Sequence, residues 1–399
     1  MKAEKPALLS APFLLCAVAN LLQGIAFNLY LHMPGYLSDL GASPVVIGWI
    51  FAVTGMVAIA VRPGIGTVMD RHGRRRLILA GNALNVVVTA LYLTVDQIGP
   101  WVYFVRVLHG VAEAILFTVL FTFAADHVPR SRLTEGLALF GVSGMLPMSI
   151  GGVLGDWILT HLDYTALFGA AVVFAVLALF ASLPLRDVVA NSADPDVEPP
   201  RGFIAALRQP DLLPIWWITL IFFIALSGIF IFLKTFVMTR GVGSVGGFFT
   251  AYTAVAIALR VGFGWVPDRL GPVKVLIPSV IALASGVFAL ALAETSLAVN
   301  VAGGLCGLGH GYAFPILSGL VVGRARERDR GSAVAIYTGI ADVGAVIGGP
   351  LFGVVLDCSS YAGLYALVGL ILIAGLGVFL PWDARVQRDV FARSGSRPG

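Results

Sequence analysis

The sequence predicts an all-α membrane protein with twelve transmembrane helices in two six-helix bundles. Three observations predict it. There is more apolar surface than a water-soluble core could hold, there are twelve apolar stretches of spanning length, and the basic residues fall almost entirely on one side of those stretches. Of the 399 residues, 58% are apolar and 12% charged, against roughly 45–50% and about 25% in soluble domains. Lipid must solvate the excess. The 47 glycines agree, because Gly is commoner in membrane helices than in soluble ones. The net charge of +4 is too small and too scattered for nucleic-acid binding.

A helix crosses the hydrocarbon with about 20 apolar residues. On that measure the spans are 9–33, 44–68, 77–97, 100–125, 133–159 and 164–184, then 212–238, 245–267, 274–293, 296–323, 330–356 and 360–381. The first run begins like a signal peptide, with Lys2 and Lys5 ahead of it and Ala17 and Ala19 mimicking a cleavage site. It continues to Met33, however, which is spanning length, so a retained helix is expected. Residues 186–211 form the only long polar break. They carry Asp194, Asp196, Glu198, Pro195, Pro199 and Pro200, a composition that disfavours order. Arg201–Leu207 is expected as a short amphipathic surface helix. The expected organisation is therefore a bundle over 1–185, a cytoplasmic linker over 186–211, a bundle over 212–382 and a cytoplasmic tail over 383–399.

Charge placement tests this map. With twelve spans, 21 of the 26 basic residues fall on one face, Arg240 alone falls on the other, and Arg62, Arg106, Lys234 and Arg260 fall within spans. Positive residues concentrate on the cytoplasmic side of membrane proteins. The expectation is an integral plasma (inner) membrane protein with both termini in the cytoplasm. Cys16, Cys306 and Cys358 have no CxxC or Cys/His spacing, so neither a disulfide framework nor a metal site is expected.

The halves share a signature. Arg62, Gly64, Gly66, Asp70, Arg71 and Gly73 recur as Arg260, Gly262, Gly264, Asp268, Arg269 and Gly271, six identities at a constant offset of 198. This reads as a duplicated unit, with the two copies related by an axis along the membrane normal. Read physically, Gly66 and Gly73 permit close backbone approach and a tight turn. Asp70 can accept hydrogen bonds from the exposed amides of a neighbouring helix N-terminus.

Here the residues resemble a known family. The GxxxDRxGRR run Gly66–Arg75 resembles motif A of the major facilitator superfamily, with a weaker copy at Asp268 and Arg269. Arg106 and Gly110 resemble motif B. Gly141, Gly144, Pro147, Gly151 and Gly152 resemble motif C of proton-driven antiporters, although the Gly-Pro dipeptide of that motif is absent; Gly348, Gly349 and Pro350 stand at the repeat-related place. The resemblance covers essentially the whole chain. It implies a latch in which Asp70 meets the eleventh helix of the other half and Arg74 pairs with Asp126 at the end of the fourth helix.

A charge at bilayer depth costs about 3 kcal/mol on insertion scales and is functional by default. Arg106 and Glu113 are two turns apart on one helix face, with Gly110 between them. They are expected to line a cavity, Arg106 poising Glu113 for protonation, the alternative being a buried structural pair or one made to a partner on another helix. Asp342 stands mid-span with Thr338 on its face and no adjacent base in the sequence. Glu113 and Asp342 are the candidate proton-coupling residues, with helix packing as the alternative role. Lys234 is expected either to attract an anion or to snorkel outward. Asn20 and Gln23 share a face with Phe27 and are expected in the cavity, or else as interhelical glue. Arg62 and Arg260 read as structural, or as part of the motif A network. Trp216 and Trp217 read as an interfacial belt, and Gly303, Gly307 and Gly311 as a close-packing ladder. The Gly241–Gly246 match to GxGxxG follows no strand and is not a nucleotide fingerprint.

The leading expectation is secondary active transport of a small organic molecule by alternating access, without a cofactor and as a monomer. Proton-coupled efflux of a lipophilic or amphipathic compound is favoured by the glycine-rich fifth and eleventh helices, as the resemblance implies. The alternative is a proton-coupled uptake symporter for a metabolite such as an organic acid or sugar. An integral membrane enzyme would need a clustered nucleophile, acid pair or metal set. A non-transporting receptor would usually carry a sizeable soluble domain.

Overall fold

A computed structural model of the chain describes residues 10–129, 132–187, 203–326 and 329–394. Among the described residues there is no strand, and twelve helices are long and apolar enough to cross a membrane. They are α1 (Ala11–Asn28), α2 (Pro44–His72), α3 (Arg74–Leu91), α4 (Pro100–Asp126), α5 (Leu133–His161) and α6 (Tyr164–Ser182). Then come α7 (Leu213–Arg240), α8 (Val245–Phe263), α9 (Pro272–Ala291), α10 (Ser296–Arg324), α11 (Arg330–Cys358) and α12 (Tyr361–Ser394). α1 runs on through a 3-10 turn, Leu29–His32, into a short helix, Met33–Asp39. Short helices also stand at Phe203–Leu207, ahead of α7, and at Val266–Leu270, between α8 and α9. The acidic stretch of the linker lies outside the described residues.

Local chemistry sets the boundaries. Ser10, Ser43, Asp163, Ser244 and Thr295 are N-caps whose side chains accept from a backbone N–H three residues on, satisfying one of the orphan donors of a helix start. Gly73 and Gly271, at φ +83 and +94, turn the chain between α2 and α3 and again before α9. Only glycine adopts that backbone without strain, which explains why the repeat keeps it in both copies.

The packing repeats as the sequence does. α1 packs on α5 and α6, α2 on α4, and α3 on α4 and α6. α7 packs on α11 and α12, α8 on α10, and α9 on α10 and α12. The second set is the first shifted by six helices. Between the two sets, α2 packs on α11 and α5 on α8. The glycine ladder of α10 is real: a Cβ on Gly303 would stand 2.4 Å from Phe248 O, and one on Gly307 2.1 Å from Tyr252 O. Without side chains between them, the backbones of α8 and α10 come into direct contact. The two tryptophans, by contrast, are packing residues rather than a belt. Trp216 is buried and donates to Leu207 O at 3.2 Å, and Trp217 donates to Gly375 O of α12 at 3.0 Å.

The two sets meet at one end and part at the other. The end carrying the arginine-rich α2–α3 turn is called the basic end here. At the opposite end, a Cβ on Gly48 would be 2.2 Å from Gly349 O, one on Gly353 2.6 Å from Pro44 O, and one on Gly152 3.0 Å from Gly246 Cα. Toward the basic end, a Cβ on Gly64 or Gly66 of α2, or on Gly331 or Gly339 of α11, would meet nothing within 4 Å. The molecule is sealed at the far end and open at the basic end.

Candidate functional site

Where α2 and α11 begin to diverge, Arg62 and Asp342 face each other across the two halves. Arg62 Nε donates to Asp342 Oδ2 at 2.7 Å and Nη2 to Oδ1 at 3.2 Å; Nη1 donates to Thr118 Oγ1 at 3.3 Å. The fork geometry is the strong form of an arginine–carboxylate pair. Both side chains keep under a fifth of their surface exposed. Asp342 therefore has a base after all: Arg62, 280 residues away in sequence. Arg62, read as structural, is the group that ties the halves together at membrane depth.

Beside this pair lies a cavity of about 170 Å³ with walls from both halves. Phe27 and Tyr30 come from α1 and the turn after it, Phe51 and Thr54 from α2, Arg106 and Glu113 from α4, Phe230 from α7 and Asp342 from α11. The predicted Phe27, Arg106, Glu113 and Asp342 are brought together. Glu113 is within electrostatic reach of Asp342, Arg106 and Arg62, and among the described residues nothing hydrogen-bonds its carboxylate. Arg106 does not hold Glu113. It is buried, donates to Ile50 O at 3.1 Å and to the Tyr92 hydroxyl at 3.4 Å, and lies 4.4 Å from the Phe51 ring centroid. Tyr92 in turn lies 2.9 Å from His109 Nδ1. Arg106 is thus the centre of a polar brace joining α2, α4 and the 3-10 turn Tyr92–Thr94 that follows α3, and its outer atoms reach the cavity wall.

Other predicted lining residues fall elsewhere. Asn20 is interhelical glue, donating to Ser143 Oγ of α5 at 2.9 Å. Gln23 is outside the lining, one turn from Phe27 toward the basic end. Thr338 spends its hydroxyl on Ala335 O at 3.0 Å, on the basic side of Asp342. Lys234 lies at the sealed end, where a Cβ on Gly35 would be 3.1 Å from its Cε, within electrostatic reach of Asp39 and Asp156. The sealed end explains the placement of Lys234: α7 closes against the Met33–Asp39 helix and removes it from the cavity.

Asp156 is a residue that sequence reasoning missed. Its Oδ2 accepts from Gly246 N at 2.6 Å, at the start of α8, where the helix dipole favours an anion. The fully buried His32 bridges to it, with Nδ1 3.7 Å from Asp156 Oδ1 and Nε2 3.2 Å from Gly152 O. The signal was present, since an acid at the end of α5 faces a helix start that the repeat places across the interface.

The signature residues sit at the basic end. Arg74 Nε donates to Asp126 Oδ2 at 2.9 Å, a surface pair worth about 0–1 kcal/mol. Arg75 fastens the turn to the end of α6, its N donating to Asp187 Oδ1 at 2.8 Å and its Nε to Leu185 O at 2.6 Å. Gly66 makes no close backbone approach here, Arg71 is exposed, and Arg269 lies 4.7 Å from the Trp265 ring beside an exposed Asp268. The side chain of Asp70 lies outside the described residues. The expected meeting of this turn with α11 requires the halves to close at this end, and here they are apart.

A family model described as Major Facilitator Superfamily matches residues 13–266 and 242–398. The chain is 26% identical over 350 residues to multidrug resistance protein MdtG of Enterobacter lignolyticus, covering 83% of this chain and 82% of that one. It is 22% identical over 362 residues to the staphylopine export protein of Staphylococcus aureus, covering 87% and 89%. An uncharacterized MFS-type transporter of Methanocaldococcus jannaschii is 23% identical over 363 residues, covering 88% and 92%. Among solved structures, the fold matches a bacterial homolog of the human lysosomal transporter Spinster with a TM-score of 0.78 at 14% identity, over 96% of this chain and 99% of that one. It matches nucleoside transporter NupG with a TM-score of 0.77 at 12% identity, over 93% and 99%.

Proposed function

The chain belongs to the Major Facilitator Superfamily, and from that premise we propose that this integral, multi-pass membrane transporter is a proton-coupled exporter of a lipophilic or amphipathic small molecule. The observation that carries the coupling is the Arg62–Asp342 pair, which spans the halves at the point where they part, beside the unpartnered carboxylate of Glu113. A proton on Asp342 cancels its charge and weakens its hold on Arg62. α2 and α11 then lose the tie that stabilises the sealed far end, and the halves can rock about the cavity. Glu113, on the same cavity, supplies a second carboxylate for the proton's path.

Two features support export, since the open basic end, cytoplasmic by its arginines, is a state that importers visit as well. The cavity wall is largely aromatic and aliphatic, which suits an apolar body with a few polar groups. The printed names of two relatives describe multidrug resistance and staphylopine export. Both walls of the cavity come from one chain, so a monomer suffices.

The test uses proteoliposomes loaded with a fluorescent lipophilic dye under an imposed pH gradient. Asp342→Asn is expected to abolish gradient-driven dye movement while retaining dye-for-dye exchange. Undiminished gradient-driven movement removes Asp342 from the mechanism. Net dye movement in the import direction replaces efflux with uptake symport.

A further inference from the structure

Arg260 is the repeat counterpart of Arg62, and the two are satisfied differently. Arg62 is gripped by a carboxylate of the other half. Arg260 donates from Nε to Gly311 O of α10 at 3.2 Å, and its two terminal nitrogens have no acceptor among the described residues. Gly311 stands midway along α10, so the guanidinium reaches into the bundle instead of snorkelling to the basic face. Its Cζ lies 5.9 Å from the Phe314 ring centroid. Among the described residues, the titratable groups facing it are the hydroxyls of Tyr252 and Tyr337 and the ring of His310, with no carboxylate. On the other half it faces Gly141 of α5, where a Cβ would be 3.6 Å from Nη1 and meet nothing else within 4 Å. The repeat offset that pairs Arg260 with Arg62 places Gly144 of α5 where Asp342 stands in α11, so the carboxylate that serves Arg62 has no counterpart at that position.

An arginine inside a span is costly unless something offsets it, and a guanidinium fork with free N–H groups fits a carboxylate or a similar oxyanion. We propose that Arg260 is an anion-binding subsite at the open end of the interface. It would take the carboxylate of an amphipathic substrate whose apolar body lies against Phe314 and Phe223, rings 6.3 Å apart. The subsite rests on the transporter reading and narrows its substrate class to amphipathic anions.

The experiment is calorimetric binding of 2-naphthoate and 2-naphthamide, equal in shape and different in charge, to the purified full chain in detergent. The wild-type protein is expected to prefer the carboxylate by about tenfold or more, the usual gain of a charge-assisted pair. Arg260→Gln should bring the ratio of the two affinities to near one without weakening naphthamide. Gly141→Asp should do the same by supplying an internal carboxylate while leaving Arg260 in place, and it decides the matter alone where Arg260→Gln fails to fold. A wild-type ratio near one, or a preference that survives either folded variant, overturns the assignment. No gradient is imposed, so a failed dye assay with Asp342→Asn leaves this ratio standing, and loss of the ratio leaves the coupling scheme standing.

Discussion

Adding one methyl group to Gly48 should open the sealed end of the transporter. A Cβ at Gly48 would lie 2.2 Å from Gly349 O and 2.5 Å from Gly349 C, both backbone atoms of α11. Ordinary contact starts at 3.4 Å, so α2 and α11 must separate by roughly 1.2 Å, and no rotamer change can absorb the clash. Overpacking of this kind costs about 1–3 kcal/mol. The cost falls on the conformation in which these helices cross closely and is relieved when the far end opens. The population should therefore move toward the far-open state by about 5- to 150-fold. Thr54 lines the cavity and is 7% exposed, which makes Thr54→Cys a suitable reporter. Cys16 and Cys306 are buried, and the exposed Cys358 is replaced by Ser. An impermeant maleimide added from the Lys234 side should modify Thr54→Cys at least about fivefold faster in the Gly48→Ala protein. An unchanged rate in a monodisperse, thermally stable Gly48→Ala protein refutes the idea that this backbone crossing is the seal.

Asp156→Asn keeps the shape and the acceptor oxygen at the start of α8 but removes the charge. At about 0.3–1 kcal/mol for a charge against a helix terminus, the same reporter should react about two- to fivefold faster, and no acceleration would leave Asp156 a packing residue. Asp70→Asn should cut dye transport while leaving membrane insertion and expression intact, because the anion that meets a helix N-terminus when the basic end closes is then missing. Full transport by a well-expressed Asp70→Asn protein dismisses the latch at that end.

The architecture was legible because bilayer thickness and the positive-inside rule act on local stretches of sequence, which can be read one helix at a time. Spans such as Pro100–Asp126 and Tyr164–Ser182 agree with the expected ones within a few residues. The glycine ladder of α10 was legible for the same reason, since its spacing lies within one helix. Pairings between helices were not. Nothing in the sequence near Asp342 points to Arg62; the link follows only once the repeat is used to stack α2 on α11. Asn20 and Lys234 show a second limit. Only neighbours decide whether such a side chain looks into a cavity, at Ser143, or into a closed gate. Which end is open depends on the relative position of the halves, and that is a property of one conformational state, not of the chain's pattern.

The glycine crossing at the far end has a consequence for energy conservation. Side chains flicker between rotamers on fast timescales, and a plug built from them admits water in brief openings. At this crossing Gly48 and Gly349 lie backbone to backbone, and Gly353 lies against the main chain of Pro44 and Val45, so the crossing itself has no fast-moving part. It can yield only when whole helices travel, and that travel is held back by the Arg62–Asp342 pair. A membrane gradient separated by such a closure should not drain through an idle carrier.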